Sequence, residues 1–207
     1  VSQREDTSDP DVIYKFANHV GDVMHLEHLY LLTVADINAT NPKLWTDWKG
    51  SLMHNLYFET KRVLQEGLSA PATRATWVAS AKAAVLQRLE TKGISQGEAL
   101  LIWHDVDDEL FLRERADDIA GFTEAVVNNP NPKEPVILIR DLGVEVPIAT
   151  QIFVHAKHRQ TIFSVKAAVL DKLQLNIQDA RLQTTSDGQA FDVFYVLDDD
   201  GEPLGKN

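Results

Sequence analysis

Asp36 is the residue of this chain with the most chemistry to explain. It falls on the helical stripe Leu29, Leu32, Asp36, in a stretch that is apolar on nearly every side as far as Ala39. The stripe points Asp36 toward what should be core, and a buried carboxylate is costly unless it is paired, hydrogen-bonded or bound to a metal. Other residues offer weaker patterns. His25 and His28 stand at i, i+3 and could share a metal face, but no third ligand has a defined spacing, so a solvated or core-edge pair is the plainer reading. His104-Asp105 reads as a helix-end or loop pair. Asp198-Asp199-Asp200 has part of a calcium-loop pattern without its downstream Glu, which makes it a turn. Trp45, Trp48 and Tyr57 recur at helical spacing and read as core.

Three helices must position Asp36. Asp9-Pro10 opens the first, roughly 10 to 22, because Asp caps free amides and Pro fits the first helical position. A second runs roughly 25 to 39. After the break at Thr40-Asn41-Pro42 a third, aromatic and amphipathic, runs roughly 42 to 66 and stops at Gly67. Further helices are expected over 74 to 91 and 96 to 103, with one or two more in 109 to 127. The prolines of Asn128 to Pro135 then forbid continuation.

Beyond that linker the period becomes strand-like. Strands are expected over 136 to 140, 151 to 156, 177 to 184 and 189 to 197, with a helix over 161 to 173 and a hairpin at Ser186-Asp187-Gly188. The fold class is therefore α+β, an all-helical N-terminal part followed by a βαββ unit. A further αβ would complete a ferredoxin-like βαββαβ sandwich, so the chain is expected to stop inside a domain. It lacks an initiating Met, which also points to a fragment.

Composition narrows the partners. The chain has 207 residues, 20 Lys+Arg against 31 Asp+Glu and a net charge of -11, which argues against nucleic acid or an anionic membrane. Without cysteine there are no disulfides, thiolate metal sites or Cys nucleophiles. No apolar run is long enough to span a membrane, and the polar start is unlike a signal peptide, so a cytoplasmic protein is expected.

The segment LTVADINATNPKLWTDWK, preceded by SDPDVIYKFANHV, resembles the family of bifunctional uridylyltransferase/uridylyl-removing enzymes that modify the nitrogen-regulatory PII protein. The likeness continues through Phe111-Leu112-Arg113, Ile119-Ala120 and the region from Gln151 to Gly201. It implies three parts: 1–68 as the end of an HD-type phosphohydrolase domain, 69–135 as a helical connecting region and linker, and 136–207 as the first part of a glutamine-sensing ACT domain. Asp36 would then be the last metal-binding Asp of the HD signature, for a divalent ion such as Mg or Mn that activates water. No catalytic set is complete within the chain, and the chain alone is expected to be inactive. His104-Asp105 follows Asp36, whereas the family's HD dyad precedes it.

The resemblance also implies PII as protein partner, UTP and UMP as nucleotides, glutamine as allosteric effector and ACT–ACT pairing. In ACT domains an amino acid commonly binds near the first strand-to-helix turn and the start of the second strand, across a domain interface. Here those positions are Lys157, His158, Arg159, Gln160, Thr161 and Ile162, with Asn176, Ile177 and Asp179. Free amides at a helix start suit a carboxylate. Many ACT domains have Gly in this turn, where the chain reads His158-Arg159-Gln160-Thr161, so a domain-packing surface is an equal reading. Two other classes stay open: the guanosine tetraphosphate synthetase/hydrolases, which also join HD and ACT domains, and a non-enzymatic ACT module.

Overall fold

A computed structural model describes residues 9–40, 47–66, 74–142, 149–157 and 162–206. Among the described residues, eight α-helices and four strands follow one another as α1 (Pro10–Val20), α2 (Val23–Thr40), α3 (Asp47–Glu66), α4 (Arg74–Thr91), α5 (Gln96–Ile102), α6 (Glu109–Arg113), α7 (Ala116–Val127), β1 (Val136–Asp141), β2 (Thr150–Lys157), α8 (Ile162–Lys172), β3 (Asn176–Thr184) and β4 (Gln189–Leu197). The class is α+β; the strands and helices α1, α2, α4, α5 and α8 lie within a few residues of their expected bounds, α6 and α7 share the 109 to 127 stretch, and the expected start of the third helix at Pro42 lies outside the described residues. Packing divides the described residues into two compact units inside α4, between Ala79 and Ser80.

In the first unit α1 and α2 pack on α3. Asp9 caps α1 by accepting from the Asp11 amide at 2.8 Å, with Pro10 in the first turn. Ile13, Ala17, Leu56 and Val63 form the buried core, flanked by Tyr14, Phe16, Leu64 and Trp77. Trp48 is buried and Tyr57 is half-buried against Tyr30, as expected of core aromatics, while Trp45 lies outside the described residues.

The second unit is built on an antiparallel sheet of order β1-β2-β4-β3. Helix α8 joins β2 to β3 with β4 inserted between them, which is the split βαβ of a ferredoxin-like fold. Strand β4 is buried almost without interruption, because both of its faces are covered. On one face α8 contributes Leu170 to a core of Ile152, Val154, Phe194 and Val196. On the other the helical layer supplies Phe122, which stacks on Phe153 with centroids 4.2 Å apart and planes 7° apart. Edge strand β1 keeps the alternating pattern.

Strand β1 also bears on the expected completion of the sandwich. It runs antiparallel to β2 at the edge where a closing fourth strand of a ferredoxin-like sheet would pair. The sheet is four-stranded with a strand taken from before β2.

Candidate functional site

Asp36 lies in the C-terminal half of α2, and it is exposed. The expectation that it projects into core is corrected by the packing. Only Leu26 of α2 is buried, while Leu31 and Leu32 are 63% and 68% exposed. A helix that is apolar all round has no single core face, so its periodicity cannot say which side meets α3. Among the described residues Asp36 has no hydrogen-bond or ion-pair partner, and no group of three or more His, Asp or Glu could hold a metal. The described residues therefore do not by themselves make a metal site around Asp36.

The other acidic and histidine patterns are accounted for locally. Asp22 accepts from the His25 amide at 2.9 Å and bonds its ring at 2.7 Å, which lowers the Asp22 pKa. His28 is exposed. Asp105 accepts from the Ser186 amide at 2.5 Å, so its carboxylate serves the β3–β4 hairpin. Asp198 accepts from the amides of Asp200 and Glu202 at 3.0 and 2.8 Å and closes a turn.

Lys157 ends β2 opposite Gln189, at the start of β4, and is exposed. Ile162 opens α8, while His158, Arg159, Gln160 and Thr161 lie outside the described residues. Asn176 pairs with Leu197 at the far end of β4 and donates to the Asp198 carbonyl at 3.1 Å. Beside it Ile177 is exposed, and a β-bulge separates it from Asp179. The two halves of the expected amino-acid site thus stand at opposite ends of β4, roughly 25 Å apart at about 3.3 Å per residue. One chain does not bring them together. A site using both would draw its second half from another domain, the interface arrangement that the resemblance implies.

Sequence reasoning passed over a buried polar cluster on the helical face of the sheet. Glu114 follows α6 and its side chain is 1% exposed. Its carboxylate accepts from Arg181 Nη1 at 2.8 Å, Tyr195 Oη at 2.5 Å and Gln151 Nε2 at 3.2 Å. Burial pushes its pKa up against the pull of Arg181, and pushes Tyr195 up too. Next to it Asp118 pairs with Arg140 at 2.8 Å and is likewise raised by burial. Glu114 carried no spacing signal, because its partners come from three strands 37 to 81 residues away.

Comparisons with known proteins cover the chain from end to end. Residues 73–125 match the family model described as the uridylyltransferase GlnD fifth domain. All 207 residues align at 44% identity with a bifunctional uridylyltransferase/uridylyl-removing enzyme of Pseudomonas aeruginosa. The corresponding enzymes of Stutzerimonas stutzeri and Pseudomonas syringae align over the same 207 residues at 44% and 42%. The chain is homologous to a segment of these enzymes. It spans 23% of their length. No solved structure matches it. The fifth-domain match takes in all of α4, α5 and α6 and ends within α7, so it includes Glu114 and Asp118.

Proposed function

We propose that the chain works as part of an enzyme that attaches UMP to the PII signal protein when glutamine is scarce and removes it when glutamine is abundant. The observation that carries the reading is 44% identity sustained over all 207 residues, across both the helical unit and the sheet. In this reading α1 to α3 are the end of the HD phosphohydrolase domain, and the sheet with α8 is the ACT sensor. UTP and UMP are the nucleotides, and the setting is cytoplasmic.

Asp36 is proposed as one ligand of a Mg or Mn ion whose other ligands belong to the intact protein. Exposure of Asp36 is compatible with that role, since a ligand must face its ion. The decisive experiment uses the full-length protein with Asp36→Asn. Release of UMP from uridylylated PII is expected to fall by at least about a hundredfold, while attachment of UMP is retained. Unchanged release would remove Asp36 from the site.

The ACT reading rests on the split βαβ topology and on the separation of the two half-sites. Paired ACT domains would bring Lys157 to Ile162 of one domain near Asn176, Ile177 and Asp179 of another. Titration calorimetry with glutamine on the full-length protein is expected to show binding heat that Asp179→Ala weakens. Absence of heat would overturn the sensor assignment.

A further inference from the structure

Arg181 makes two sets of contacts that run in opposite directions. Toward the solvent edge its Nε donates to Asp179 Oδ2 at 3.0 Å, and Asp179 sits just past the β-bulge of edge strand β3. Toward the interior its Nη1 donates to Glu114 Oε1 at 2.8 Å and to the Arg113 carbonyl at 2.6 Å, at the C-terminal end of α6. The guanidinium also lies over the Tyr195 ring at 5.0 Å. Asp179 is about a third exposed at its side chain, whereas Arg181 and Glu114 are 15% and 1% exposed. One planar side chain therefore spans from a solvent-accessible carboxylate to a buried one.

The charges make this span consequential. Glu114 is held in a low-dielectric site by Arg181, with Tyr195 and Gln151 as neutral donors and Asp118 as a nearby like charge that Arg140 offsets. Loss of a partner from a buried pair costs far more than loss of an exposed pair, because the remaining charge stays desolvated. Any shift of Arg181 is therefore felt at α6 and α7 more than at β3.

We propose that Arg181 is a coupling residue through which the state of Asp179, at the bulged edge of the sheet, sets how tightly the α6–α7 layer is held on the sheet. It does not depend on the identity of any ligand. Whatever engages or releases the Asp179 carboxylate alters the fit of Arg181 on Glu114, and so the local stability of the helical layer.

The test is amide hydrogen exchange on the 207-residue chain with Asp179→Ala. Exchange in residues 109–127 is expected to speed up by about fivefold, with the central strands β2 and β4 unchanged. Acceleration confined to β3, or spread equally over the whole sheet, would overturn the coupling. A double-mutant cycle supplies the second readout. In a Glu114→Gln background Asp179→Ala is expected to leave exchange in 109–127 unaltered, because the buried charge that transmits the effect is gone. Additive effects would sink the proposal. Should Glu114→Gln not fold, Arg181→Lys replaces it: lysine keeps the charge but cannot fork between two carboxylates, so the Asp179→Ala effect should again vanish, and its persistence would be fatal.

Discussion

At the scale of residues, Glu114 and Asp117 link folding to pH with opposite signs. Glu114 is raised by burial, so its contribution is fully present below the unfolded value of 4.5 and is lost as pH rises through the raised folded value. Asp117 is lowered by Arg88, which donates to it at 2.5 Å, so its contribution is present above the unfolded value of 3.8 and is lost as pH falls through the folded one. Glu114→Gln is therefore expected to flatten the loss of stability as pH rises above the unfolded value of 4.5, measured by urea unfolding across a pH series. A slope equal to that of the unaltered chain would show that Glu114 does not titrate in this window. Some slope should remain, because Asp118 is raised in the same direction. Tyr195→Phe removes a donor to the buried carboxylate and is expected to cost about 1 to 3 kcal/mol in the same measurement.

At the scale of elements, two helices show how local signals and packing divide the work. Helix α5 is specified locally: Ser95 and Glu98 form a reciprocal capping box, the Glu98 carboxylate accepting from the Ser95 amide at 2.9 Å. Ser95→Ala should lower stability by about 1 kcal/mol by denaturant unfolding. Helix α7 is specified by what it meets. Phe122 stacks on Phe153, and Trp103 Nε1 donates to Thr123 at 3.0 Å, which fastens α5 to α7. Phe122→Ala is expected to cost about 3 to 5 kcal/mol, with Trp103 fluorescence following the loss. A cost below about 1 kcal/mol would mean that the helical layer is not held by this stack. Gly121 marks how close α7 comes to β1, since a Cβ there would lie 3.2 Å from Arg140.

At the scale of the whole molecule, the described residues bring together neither of the two sites that the resemblance implies. The described residues hold no set of three metal ligands, and the two halves of the expected amino-acid site stand at opposite ends of one strand. The purified 207-residue chain is therefore expected to release no UMP from uridylylated PII under conditions where the full-length protein does, as followed by nucleotide chromatography. Release at a rate comparable to the full-length protein would show that the site is complete within it.

The sequence by itself determined the α+β class, most of the elements to within a few residues, the hairpin at Ser186-Asp187-Gly188 and the likeness to the uridylyl-removing enzymes. These depend on periodicity, turn chemistry and local motifs, which act over a few residues and are written in order along the chain. Tertiary structure alone decided that Asp36 is exposed, that β1 occupies the closing edge of the sheet, and that Glu114 meets Arg181, Tyr195 and Gln151. A helix that is apolar all round does not name its buried side, a strand does not name its neighbour, and a carboxylate's partners can come from anywhere. Those choices are settled by which surfaces the packed elements bury together.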